Sequence, residues 1–152
     1  MGNTEVMQIV TGFLGSLSFG ILFNIKGVRL FWAALAGFFS WSLFLLLAYW
    51  IPSEPVRYFI VAMTVSVYAE IMARILKTPT TTFHMTALIP LIPGGSLYYT
   101  MASLFGGNLS TFVDKAIYTL ELAVSLALGI VLVTAVAHTI TRLKTAGIKR
   151  IH

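Results

Sequence analysis

The sequence contains no cysteine and only five acidic residues, and charged side chains make up 10% of its 152 positions, against about 25% in an ordinary soluble domain. The missing cysteine excludes disulfides and thiolate metal sites. The scarcity of charge excludes the solvated surface that a water-soluble domain of this length needs. Nor is there a hydrophilic stretch long enough for a separate catalytic domain, a nucleotide-binding module or a receptor ectodomain. What fills the chain is apolar: 58% of residues are hydrophobic and the mean hydropathy is +0.90. The long apolar runs fall at 6–23, 30–51, 59–67, 85–105 and 116–136, where roughly 20 residues cross a bilayer as a helix.

The pattern predicts an all-α integral membrane protein of about five transmembrane helices, over residues 5–24, 30–51, 56–77, 83–105 and 116–140. These form a single transmembrane domain spanning 1–152 that ends in a basic cytoplasmic tail at 141–152. The residues before the first run, Met1 to Glu5, lack the positive start of a secretory signal, so the first helix is expected to be retained. A myristoylation motif would need Ser or Thr where Val6 stands.

The net charge of +5 reads as topology. Lys26 and Arg29 lie in the first connection, Glu54 and Arg57 in the second, Arg74 and Lys77 around the third, and Asp114 and Lys115 in the fourth. Arg142, Lys144, Lys149 and Arg150 close the chain. Positive excess at every second connection places the first and third loops and the C-terminus in the cytoplasm and the N-terminus outside. No basic face with interleaved aromatics is present for nucleic acid. Trp50, Tyr58 and Tyr118 fall near outer span ends, as expected of interfacial anchors.

Small residues recur at fourfold spacing: Gly12, Ser16 and Gly20, then Ala33 and Gly37, then Ala62 and Ser66 leading to Glu70 and Arg74, and Glu121, Ser125 and Gly129. In lipid such ladders let helix backbones approach closely, which predicts a packed bundle and contacts between subunits.

Few residues carry chemistry. Glu70 is an ionisable group within a span, where such groups are costly and face protein, water or a partner. Arg74, one turn later, shares its face. Two readings stand: an ion pair at the cytoplasmic interface with Arg74 reaching toward water, or a transport pathway handling a proton or substrate. Glu121 and His84 are further candidates for proton coupling; His84, His138 and His152 have no ligand spacing, so no metal site is expected. The fourth span contains Pro90 and Pro93 followed by Gly94, Gly95 and Ser96. Each proline removes a donor and clashes one turn back, leaving the carbonyls of Thr86 and Ile89 without their usual partners. Either the helix kinks or it breaks. A break would aim the amides of Gly94, Gly95 and Ser96 into a gap able to receive a carboxylate. Before it, Lys77, Thr78, Thr80, Thr81 and Thr82 either bind a polar solute or cap the next helix.

Four motifs together resemble the threonine/serine exporter family: Phe19-Gly20-Ile21-Leu22-Phe23-Asn24; Glu70 with Arg74; Lys77-x-Pro79-Thr80-x-Thr82-Phe83; and Ile89-Pro90-Leu91-Ile92-Pro93-Gly94-Gly95. More closely, the chain is similar to its small stand-alone YjjB-like subunits, which correspond to the C-terminal membrane half of fused members. The resemblance implies a bacterial inner-membrane exporter of small carboxylate-bearing metabolites, namely threonine and serine, or C4-dicarboxylates such as succinate. It also implies a complementary YjjP-like membrane subunit and no cofactor. Its motif positions map to Glu70, Arg74, Pro79, Thr80, Thr82, Pro90, Pro93, Gly94 and Gly95. An odd number of spans gives this a physical basis, since two related five-helix halves can then sit in opposite orientations.

The expected mechanism is secondary export by alternating access: the broken span receives the carboxylate, Arg74 or Lys77 assists at the entrance, and protonation of Glu70 couples transport to the proton gradient. A non-transporting scaffold subunit and a homo-oligomeric channel are the rival readings. For an intramembrane enzyme the sequence offers no nucleophile elbow, paired catalytic carboxylates or metal cluster.

Overall fold

The computed structural model describes residues 2–149, with side chains to Leu143; Arg150 and His152 lie outside the described residues. These form six α-helices and a single 3-10 turn: α1 (Asn3–Leu22), α2 (Val28–Ala48), α3 (Glu54–Leu76), α4 (Thr80–Leu88), the turn Ile89–Leu91, α5 (Gly94–Phe105) and α6 (Leu109–Lys149). No strand occurs among the described residues.

Local chemistry sets the helix ends. At the start of α1 the Gly2 N–H donates to Glu5 Oε2 at 3.1 Å, supplying a free terminal amide with a carboxylate that the helix dipole also favours. Asn24 (φ 59°) and Gly27 (φ 64°) take left-handed conformations in the turn to α2. Pro55 stands in the first turn of α3, where its missing N–H has no partner to lose. Lys77, left-handed at φ 49°, ends that helix, and Pro79 prevents its continuation into α4.

α1, α2, α3 and α6 are each long and apolar enough to cross a membrane. α4 with its turn and α5 form a fifth segment, bent by 54° at the break. That bend redirects the chain without reversing it. With about 18 Å of helix on each side, the pair advances about 29 Å along the first axis, close to the roughly 30 Å thickness of a hydrocarbon core. The chain is an all-α membrane protein of five such segments, with the fourth broken where the prolines stand.

α2, α3 and α4 form the centre. α1 packs on α2 and on the turn, α3 on α2, α4 and α6, and α5 chiefly on α6. One buried cluster joins Ala36 and Phe44 of α2, Tyr58, Val61 and Val65 of α3, and Ala87, Leu91 and Leu122; another surrounds Ala33, Ala69 and Phe83. Many large apolar side chains point outward from α1, α5 and α6, as expected where lipid replaces water as the solvent.

Two expectations need correction. Tyr58 is not an interfacial anchor: it is 5% exposed and its ring packs on Phe44 at 4.9 Å, whereas Trp50 is 73% exposed. The last helix does not end near 140. It starts at Leu109 and runs to Lys149, because no proline or glycine pair interrupts it, so the basic residues at 142, 144 and 149 sit on a continuing helix.

Candidate functional site

α3 and α6 pack closely because Gly129 carries no side chain. A Cβ there would lie 2.7 Å from the Phe59 carbonyl and 2.8 Å from Ala62 Cβ. At the end of this helix pair where α3 gives way to α4, the fourfold ladder of α3 presents Glu70 and Arg74. Their side chains form an ion pair of 3.6 Å, with Arg74 54% and Glu70 20% exposed. The Arg74 guanidinium also donates to Thr141 Oγ1 of α6 at 3.3 Å. Thr80, in the first turn of α4, and His138 complete the lining of a cleft of about 180 Å³. That is smaller than the roughly 300–1,000 Å³ of sites for drug-sized ligands. It offers one anion, one cation, two hydroxyls and an imidazole to a small polar solute. An apolar groove of about 390 Å³ adjoins it, lined by Met63, Val67, Ile71, Leu132 and Val136 among others.

The structure therefore brings Glu70, Arg74 and Thr80 together and adds His138 and Thr141, which sequence reading had not assigned. Their signal was weak: 67 positions separate Arg74 from Thr141, and neither belongs to a motif. His84 is partly buried, its Nε2 has no hydrogen-bond partner, and it lies close enough to feel the Glu70 charge. Lys77 is exposed and lines neither cleft. Thr82 accepts a bond from Thr86 Oγ1 at its own carbonyl. Glu121 is exposed on α6, 20 positions from Thr141 and outside the cleft.

The break in the fourth span is held from within the protein. Pro90 deprives the Thr86 carbonyl of its helical donor, and Ser16 Oγ of α1 donates to that carbonyl at 2.8 Å, both residues fully buried. The Ile89 carbonyl accepts from Ile92 N–H at 3.4 Å. Pro90 itself nests against α1, 3.7 Å from where a Cβ on Gly12 would stand. Beyond Pro93, Gly94 N–H turns back to the Ile92 carbonyl at 2.7 Å. Gly94 and Gly95 face open space, and Ser96 lines a separate cleft beside α6. The proline–glycine residues and the Glu70–Arg74 group thus occupy two places, not one.

At the opposite end of the bundle, polar side chains tie neighbouring helices. Tyr118 of α6 donates to the Glu54 carboxylate at the start of α3. Tyr49, just past α2, donates to Glu5 at 3.1 Å, and that carboxylate pushes the phenol pKa up.

These features define a polytopic α-helical membrane protein with one broken span and a charged cleft between helix ends. More particularly, the chain is a member of the threonine/serine exporter family: the family model described as Threonine/Serine exporter, ThrE, matches residues 8–136. The match takes in α1 to most of α6, and so every cleft residue except Ala137, His138 and Thr141. Members of this family are transporters. Among curated proteins and among solved structures, no match to the chain was found.

Proposed function

We propose that the chain is one half of a secondary transporter that exports small carboxylate-bearing metabolites across the bacterial inner membrane, and that the Glu70–Arg74 cleft is its cytoplasmic entrance. In this reading the complementary half is a YjjP-like subunit, the N-terminus lies outside, and the proton gradient drives export.

The observation that carries it is the paired charge beside hydroxyls in the cleft: Glu70 to Arg74 at 3.6 Å and Arg74 to Thr141 at 3.3 Å. One acid and one base suit a zwitterion, whose carboxylate pairs with Arg74 and whose ammonium pairs with Glu70, while Thr80 and Thr141 can meet a substrate hydroxyl. A C4-dicarboxylate would find one cation and a repelling carboxylate. The charge balance favours serine or threonine over succinate. Glu70 can exchange its partner from Arg74 to the substrate or to a proton, which couples binding to pH. The break at Ile92 and Pro93 divides the fourth span into two helical pieces, an arrangement that suits a carrier working by alternating access.

The test is counterflow of labelled serine, threonine and succinate in proteoliposomes carrying this chain with its co-expressed complementary subunit. Arg74→Gln should weaken apparent substrate affinity about tenfold to a hundredfold, the range for losing a charge-assisted hydrogen bond. Glu70→Gln should leave the protein folded and remove the dependence of export on the pH gradient. Gradient-driven flux at the unmodified rate in that variant would refute the coupling role.

A further inference from the structure

A second cleft, of about 300 Å³, opens between α5 and α6, lined by Ser96 and Tyr99 of α5 and Lys115, Tyr118 and Thr119 of α6. It lies far from the first. Thr119 and Thr141 are separated by 22 positions of one helix, about 33 Å of rise, which matches the thickness of a hydrocarbon core. The two clefts therefore lie about one membrane thickness apart along α6.

Lys115 is the one charged residue lining this second cleft, it is partly buried, and no carboxylate pairs with it among the described residues. Its ammonium rests over the Tyr99 ring, 5.5 Å from the centroid. An aromatic face holds a cation in place but leaves its N–H donors free for an anion. The Glu54 carboxylate accepts the Tyr118 hydroxyl and is not among the residues that line the cleft. Thr119 is positioned by bonds to the Lys115 carbonyl at 2.8 Å and to Thr100 at 3.0 Å. Ser96 places a hydroxyl in the lining of the same cleft.

We infer that this cleft is a second carboxylate site, in which Lys115 pairs with the carboxylate of the transported metabolite at the face opposite the Glu70–Arg74 cleft. The inference rests on the substrate class proposed above. The first cleft balances an acid against a base, whereas the second offers a cation alone, so a zwitterion is held there by one end only. Weaker, single-ended binding is what an exit site needs.

The absence of cysteine from this chain permits a direct test on it together with its co-expressed complementary subunit in phosphatidylcholine nanodiscs, which expose both faces. In Ser96→Cys, the rate of reaction with a thiol reagent is measured with increasing threonine, serine or succinate. The expected result is protection that needs about tenfold or more higher ligand when Lys115→Gln is added, corresponding to loss of one charge-assisted hydrogen bond, and that returns with Lys115→Arg. Undiminished protection in Lys115→Gln overturns the inference. So does slower labelling caused by phosphatidylglycerol in the disc and by no added metabolite, which would assign the cation to lipid headgroups. Thr119→Cys repeats the measurement should Ser96→Cys not yield a monodisperse protein. Thr141→Cys reports on the first cleft in the same assay. Protection there with none at Ser96 overturns the second site alone, whereas protection at neither cleft overturns the substrate reading as well.

Discussion

Gly37 is the position in α2 where a single methyl group does most damage. A Cβ there would land on the side chain of Ser16, against the facing helix, with the Gly12 carbonyl 3.3 Å away. Gly37→Ala must push α1 off α2 and should destabilise the protein by about 1–3 kcal/mol, the usual penalty of overpacking; a lower midpoint in a detergent thermal-stability assay would register it. Gly94→Ala is its counterpart, since nothing stands within 4 Å of the added atom, and its midpoint should stay unchanged. At this scale the small residues were legible from their spacing alone, but which glycine is tight was not. Gly12 and Gly37 both stand in fourfold ladders, and only the facing side chains distinguish them: Trp41 lies 3.5 Å from a Cβ at Gly12, whereas Ser16 would be struck by one at Gly37. The cleft was half legible for a related reason. Glu70 and Arg74 are neighbours on one helix, whereas His138 and Thr141 reach them through tertiary packing.

Between helices, the break in the fourth span depends on a partner in the first. Ser16 supplies the hydrogen bond that Pro90 withholds from Thr86. Ser16→Ala should therefore cost about 1–3 kcal/mol, the penalty for a buried carbonyl left unsatisfied. In a Pro90→Ala background the restored amide can satisfy the carbonyl, so the same Ser16→Ala change should cost clearly less. A double-mutant cycle on thermal stability reads the difference; equal effects in the two backgrounds would show that the hydroxyl does not serve the break. The prolines made the interruption visible in sequence, since their chemistry is local. Its geometry was not visible: the 54° bend and the packing of α5 on α6 are set by other helices. The length of α6 escaped for the opposite reason, as polar residues past 140 read as a tail where the backbone continues as a helix.

For the molecule as a whole, counting the bent pair as one span gives five crossings, which put successive connections on alternating sides. A bend of 54° carries the fourth segment through, whereas a re-entrant pair would return it to its starting face. Single cysteines at Ser53 and Asn108 should therefore react with a membrane-impermeant reagent from one side, and a cysteine at Lys26 from the other. Labelling of Asn108→Cys together with Lys26→Cys would mean four crossings and remove the basis for two opposed halves. The apolar segments were legible because apolar length is a property of composition, and lipid imposes it without reference to neighbours. The arrangement of helices was less so, since in lipid their association is decided by close packing and hydrogen bonds.

The bond between Ser16 and Thr86 also sets an order of events during synthesis. The donor is made 70 residues before its acceptor, so while the chain emerges the Ser16 hydroxyl has only its own helix to turn to, at the carbonyl one turn back. Its native acceptor exists only once α4 has been made. A ribosome halted before that point would hold a chain with the Ser16 donor and without its native acceptor.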